Sequence, residues 1–196
     1  MQLRDVRHWA VVPARIVAYA LVAAALTACG VRATHPAPSP APLGDETAVL
    51  EIALDSIATF GKQIVVGDSS DVSFLRAPAA ERAQALAVVR QAAGSIDSTT
   101  VQDLDRQNAT VVSFRQRLHL EHGWEWKSAA AARGEHLESA TIVTVSRPGF
   151  NAAHTEAIVY GTMYCGTLCA EGSYVVLDRV PGSGWRVRKK IRIWES

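Results

Sequence analysis

Apolar positions recur at helical spacing in the first half of this chain and at every second position in the second half. From Asp45-Glu46-Thr47 onward, Val49, Ile52, Ala53, Ile57 and Phe60 fall close to one face of a helix, which Gly61 closes. Gln63 to Val66 reads as a short strand before the turn at Gly67-Asp68. Pro78 stands where a helix can begin, and Ala79 to Ala93 is rich in helix formers before Gly94. Thr99 or Thr100 is placed to cap a short helix that carries Val101 and Leu104 and ends near Asn108. Thr110 to Leu120 has the β-branched and aromatic content of a strand, and Ala129 to Ala132 reads as a helix end or a surface turn.

Beyond residue 140 the period changes. Thr141 to Ser146, Glu156 to Tyr164, Ser173 to Arg179 and Trp185 to Trp194 read as four strands at hairpin spacing. Pro148-Gly149 with Asn151, and Pro181-Gly182-Ser183-Gly184, mark turns between them. Sequential strands with short loops predict an antiparallel meander. The expected fold is therefore α+β, with N-terminal helices packed on one face of a C-terminal four-stranded antiparallel meander.

Ahead of the folded part the pattern is of another kind. Arg4, Arg7 and Arg15 precede Ile16 to Ala28, which runs 13 residues without a charge. A spanning helix needs roughly 20 apolar residues, so this run fits a leader peptide core instead. It ends in Leu26-Thr27-Ala28-Cys29-Gly30. This resembles the lipobox of bacterial lipoproteins, which implies cleavage before Cys29 and attachment of lipid, with its acyl chains, to that cysteine. Gly30 stands where an aspartate would signal inner-membrane retention, so the resemblance favours the outer membrane over the inner. Val31 to Asp45 follows, with Pro36, Pro38, Pro40 and Pro42 spaced by small residues. Such a stretch favours extended conformations and reads as a tether. The expected organisation is a leader at 1–28, a tether at 29–45 and a single α+β domain at 46–196.

Composition narrows the partners. The whole chain of 196 residues carries a formal net charge of +1. Removal of Arg4, Arg7, Arg15 and Asp5 with the leader leaves 17 basic against 18 acidic residues. No global positive field suits nucleic acid. The expected partners are a membrane, through the lipid anchor, and an envelope protein or polymer.

A second resemblance rests on the last 50 residues. Ser146-Arg-Pro-Gly-Phe-Asn151, the strand Ala157-Ile-Val-Tyr160, the turn Cys165-Gly166, the strand at Tyr174, then Gly184-Trp185 and Trp194 follow one another in order. The stretch resembles the C-terminal region of a group of exported bacterial proteins, with a weaker echo at Asp103 to Asn108. Ala170 and Glu195 depart from that pattern. The resemblance implies a shared fold and brings no activity with it.

Three cysteines less the lipidated one leave Cys165 and Cys169, an even pair in an oxidising compartment. A disulfide across a four-residue turn is the favoured reading, since a turn brings Cα atoms into bonding range and Gly166 and Gly172 supply flexibility. Free thiols, a metal site and a redox centre are the alternatives. The redox reading lacks the Cys-x-x-Cys spacing at a helix start, and zinc needs two further ligands. Alternation along the strand puts Cys165 on the covered face with Val159, Gly161 and Met163.

Other chemistry is thinner. His119-Leu-Glu-His122, with Glu121 or Glu125, could ligate a metal on a helix, but its glycine and aromatic neighbours read as strand or turn. Gly67 to Asp71 is too short and irregular for a calcium loop. Arg186, Arg188, Lys190 and Arg192 fall on one face of the last strand at period two, as a contact for phosphate, carboxylate or lipid headgroups or as a solvated face that discourages edge pairing. No nucleophile elbow, phosphate loop or dinucleotide fingerprint occurs, and no catalytic residue, metal or cofactor is assigned. The sequence thus favours a lipid-anchored envelope module that binds rather than catalyses. The alternative is a small periplasmic hydrolase or redox enzyme whose site assembles from scattered polar residues.

Overall fold

The structure, a computed structural model, describes residues 43–58, 63–120, 123–128, 131, 140–166 and 168–196. The leader, Cys29 and residues 29–42 of the tether lie outside the described residues, as do Phe60, Gly61 and most of 129–132. Three helices are described: α1 (Leu43–Ile57), α2 (Ala79–Ala93) and α3 (Ser98–Gln107), with a 3₁₀ turn at Phe74–Arg76. Helix α1 begins ahead of the expected domain start at 46, and Asp45 and Glu46 in its first turn complement the helix dipole. Helix α2 occupies the expected span. Asp97, not Thr99 or Thr100, caps α3, its carboxylate accepting the Thr99 N–H at 2.8 Å. The two threonines instead fill the first turn, and Thr100 Oγ1 donates to Glu156 at 2.6 Å.

The strands are β1 (Gln63–Gly67), β2 (Trp124–Lys127), β3 (Ala140–Val145), β4 (Gly149–Phe150), β5 (Glu156–Gly166), β6 (Cys169–Val180) and β7 (Gly184–Glu195). They form one seven-stranded sheet in the order β2-β1-β3-β5-β6-β7, with β4 paired to β5. The expected meander is present as β3-β5-β6-β7, antiparallel throughout. The expectation of four strands is corrected. β1 inserts beside β3 and pairs parallel to both β3 and β2, so the sheet is mixed. Ile64, Val65 and Val66 are all buried, as suits a parallel strand with neighbours on both sides.

The expectation that helices cover one sheet face is also corrected. Val49, Leu50, Ala53, Leu54 and Ile57 of α1 pack with Val143, Val159, Met163, Val175 and Leu177 on one face. Ala85 and Val89 of α2 and Val101 and Leu104 of α3 pack with Ile158, Tyr160, Tyr174, Val176 and Ile191 on the other. The domain has three layers, and β5 is buried without a break from Glu156 to Met163. Alternation correctly sorts residues 157–163 into two sets, yet both sets meet a helix.

Thr110 to Leu120 is not a strand. A single bridge joins Ser113 to Ser69, and the chain then turns, with the Leu118 N–H donating to the Phe114 carbonyl at 3.0 Å. Phe114 and Leu118, four apart, both enter the core with α1. Their spacing is that of a helical turn, and β-propensity alone obscured it.

Gly149 and Gly161 permit helices to approach the sheet closely. A Cβ at Gly149 would lie 2.3 Å from the Leu104 nitrogen and 2.4 Å from the Thr100 carbonyl oxygen, so the α3 backbone rests directly on β4. At Gly161 a Cβ would meet the Ile57 Cδ1, a side-chain end, at 2.3 Å and the Thr144 carbonyl oxygen only at 3.0 Å. Gly149→Ala is therefore expected to cost about 3 kcal/mol and Gly161→Ala about 1 kcal/mol, since backbone yields less than a methyl group. Urea midpoints at unchanged m-value measure both. Equal losses at the two positions would refute the backbone contact.

Candidate functional site

The Ser146–Asn151 turn and its echo at Asp103–Asn108 meet in space. The Arg147 N–H donates to the Asn108 Oδ1 at 2.8 Å, and Asn108 Nδ2 returns a bond to the Arg147 carbonyl at 2.9 Å. The Phe150 N–H donates to Asp103 Oδ2 at 2.9 Å, and Arg106 pairs with the other Asp103 oxygen. Asn151 Oδ1 accepts the Thr155 and Glu156 N–H groups at 2.8 and 3.1 Å. The Arg147 guanidinium reaches the opposite layer and holds Glu46 of α1 with two bonds, at 2.8 and 3.1 Å. Glu46 is 5% exposed, and Arg117 supports it at 3.5 Å. The polar side chains Asp103, Asn108, Arg147 and Asn151 in these two motifs bond backbone and neighbouring layers. They act as a joint.

Cys165 and Cys169 are paired, with Cα atoms 5.1 Å apart, across the turn from β5 to β6. Cys165 packs on the α1 side with Val159 and Met163, as alternation predicts. Leu168 at the tip is 87% exposed. Tyr160 belongs to the opposite face, where it is buried and its oxygen accepts the Trp194 indole N–H at 3.2 Å. Burial raises its phenol to about 12, so it stays protonated at neutral pH. Tyr174 is raised further, again by burial. Tyr160 and Tyr174 therefore lie on the sheet face opposite Cys165.

The basic stripe does not lie on one face. β7 has two register shifts against β6, opposite Val176/Leu177 and Gly172/Ser173. Arg186 pairs across from Asp178, on the α2/α3 side, while Lys190 and Arg192 stand across from Val175 and Ser173, on the α1 side. Each bulge adds one residue and reverses the alternation. Arg188 is engaged internally, donating Nε to both Asp178 oxygens at 2.9 Å and Nη2 to Glu156 at 2.9 Å. Glu156 is buried and also takes the Asp97 N–H at 2.9 Å. Lys190 pairs with Glu171 and Arg192 with Glu195.

The acidic loop after β1 is likewise engaged. Asp68 pairs with Arg115 at 3.2 Å. Asp71 accepts the Ser73 N–H at 2.8 Å and the Thr144 hydroxyl at 2.7 Å, and Thr162 joins at 3.3 Å. Among the described residues no three His, Cys, Asp or Glu side chains converge to hold a metal ion. His119 is exposed, while Glu121 and His122 lie outside the described residues.

A groove of about 340 Å³ opens between this loop, the start of α2 and the end of α3, lined by Val72, Leu75, Arg76, Arg82, Asp105, Asn108, Ala109 and Val111. Arg82 pairs with Asp105 and its Nη1 reaches the Leu75 carbonyl at 3.5 Å. Arg76 is exposed, and its guanidinium has no ion-pair partner among the described residues. Val111 is 52% exposed. Sequence reasoning missed this groove because its charged residues are distant in the chain and form no motif. Comparison with protein-family models, curated proteins and solved structures finds no match to this chain.

Arg188→Met leaves the Glu156 carboxylate without its cation and is expected to cost about 3 kcal/mol at pH 7. Arg188 also holds the Asp178 carboxyl below its ordinary value of 3.8, chiefly by hydrogen bonding. That contribution is present above the ordinary value and is lost as pH falls toward the depressed one. Stability of the natural chain should therefore fall more steeply below pH 4 than that of Arg188→Met, measured by urea unfolding at successive pH values; parallel slopes would count against the assignment. For the sulfurs, Cys165→Ser with Cys169→Ser should lower stability by about 2 kcal/mol without abolishing folding, because the closed loop is short. A double variant that fails to fold, shown by the loss of near-ultraviolet circular dichroism, would contradict this.

Proposed function

We propose that this chain is a bacterial lipoprotein, anchored through Cys29 in the cell envelope, whose domain binds a ligand or partner rather than catalysing a reaction. Support for the anchor is the Leu26-Thr27-Ala28-Cys29 sequence after a charge-free run of 13 residues. One observation carries the binding reading. The buried carboxylates Glu46, Asp103 and Glu156 are spent on internal bonds that join layers, while the groove beside Arg76 keeps an uncompensated guanidinium next to exposed apolar surface. A cationic donor beside apolar walls suits recognition of a small molecule. Among the described residues no helix is long and apolar enough to cross a membrane. Gly30 favours the outer membrane.

The anchor is tested by expressing the full chain in a bacterium fed labelled fatty acid. The natural chain is expected to carry label and to sediment with membranes. Cys29→Ser is expected to lose the label. Equal label in both chains would overturn the reading.

A further inference from the structure

We propose that the groove between Arg76 and Val111 binds a small monoanionic amphiphile, a carboxylate carried on a short apolar chain. This rests on the binding reading above and gives it a ligand class. The charges argue for one negative charge. Arg82 is neutralised by Asp105, so the groove presents one net positive group, the Arg76 guanidinium. A guanidinium matches a carboxylate with two parallel donors. Asp105 in the same wall opposes a second negative charge, which disfavours phosphate dianions. Val72, Leu75 and Val111 supply the apolar wall. The volume, about 340 Å³, lies at the small end of ligand cavities and suits a molecule of a few carbons.

The test is a titration of the ¹⁵N-labelled full chain in zwitterionic micelles with hexanoate, followed by backbone amide shifts. Leu75, Arg76, Ala109 and Val111 are expected to shift, and added salt should weaken the binding. Arg76→Gln should bind hexanoate about tenfold more weakly, as should the natural chain with neutral hexanamide, because each removes one charged partner. Arg76 is exposed, so the variant should retain the other amide positions, and Val111→Ser is a second variant that weakens the apolar contact. Hexanamide matching hexanoate would overturn the anionic ligand while leaving the groove a binding site and the broader reading intact. Inorganic phosphate shifting the same amides more strongly than hexanoate would overturn the monoanion. Shifts unchanged by Arg76→Gln, or no groove shift with any probe, would overturn the inference. The anchor would still stand or fall by its fatty-acid label.

Discussion

The bidentate pairing of Arg147 with Glu46 fixes the relation between the layers of this domain. A buried carboxylate is costly unless it is paired and fully hydrogen bonded. Glu46 sits in the first turn of α1, so its pairing sets where that helix begins on the sheet. The same Arg147 residue offers its backbone to Asn108 at the end of α3, on the opposite side. Three residues further, Phe150 is held by Asp103, and Gly149 lets the α3 backbone lie against β4. One short segment thus receives the helix of each layer, by a side chain in one direction and by backbone in the other. Moving either helix would strand a charged or polar group away from water.

This joint explains what was legible. Periodicity marked the meander strands and α1, and helix-forming residues after Pro78 marked α2, because these signals are local. The turn at Ser146–Asn151 and its echo at Asp103–Asn108 were both visible as motifs, yet nothing in the sequence alone said that they touch. They are separated by residues 109–145 in the chain, and their bonds are between side chains and backbone. Polar residues in a compact motif can suggest a site. Here they satisfy the backbone of an irregular turn, which a buried turn requires.

The failures have a common cause in tertiary context. β1 looked like an isolated short strand because its partners, β2 and β3, come much later in the chain. The helices were placed on one sheet face because alternation in β5 distinguishes two sets of residues without saying that both are covered. In β7 the period of two was read through positions where the strand gains a residue, so Arg186 and Lys190 were assigned to one face and occupy two. A bulge carries no reliable sequence mark. The disulfide was the more readable feature, since four residues and a glycine constrain the geometry before any fold is known.

The distribution of charge bears on what this domain can do. A catalytic carboxylate must face a substrate, with its proton affinity set for transfer. Glu156 instead receives Thr100, the Asp97 N–H and Arg188, and Asp178 is held below its ordinary value by the same arginine. Glu156 is occupied by three partners and Asp178 by Arg188, which suits both to fixing helices and strands. Arg188 touches β5, β6 and the loop before α3 through Glu156, Asp178 and the Ser95 carbonyl, so it repeats on the far side of the sheet the role Arg147 has at Glu46. Two arginines, each bound to a buried acid, brace the two ends of α3. The Arg76 guanidinium stands outside both braces, on a loop that neither one holds directly. It has no ion-pair partner among the described residues, so the ligand proposed above would engage it without breaking a bond that holds the fold.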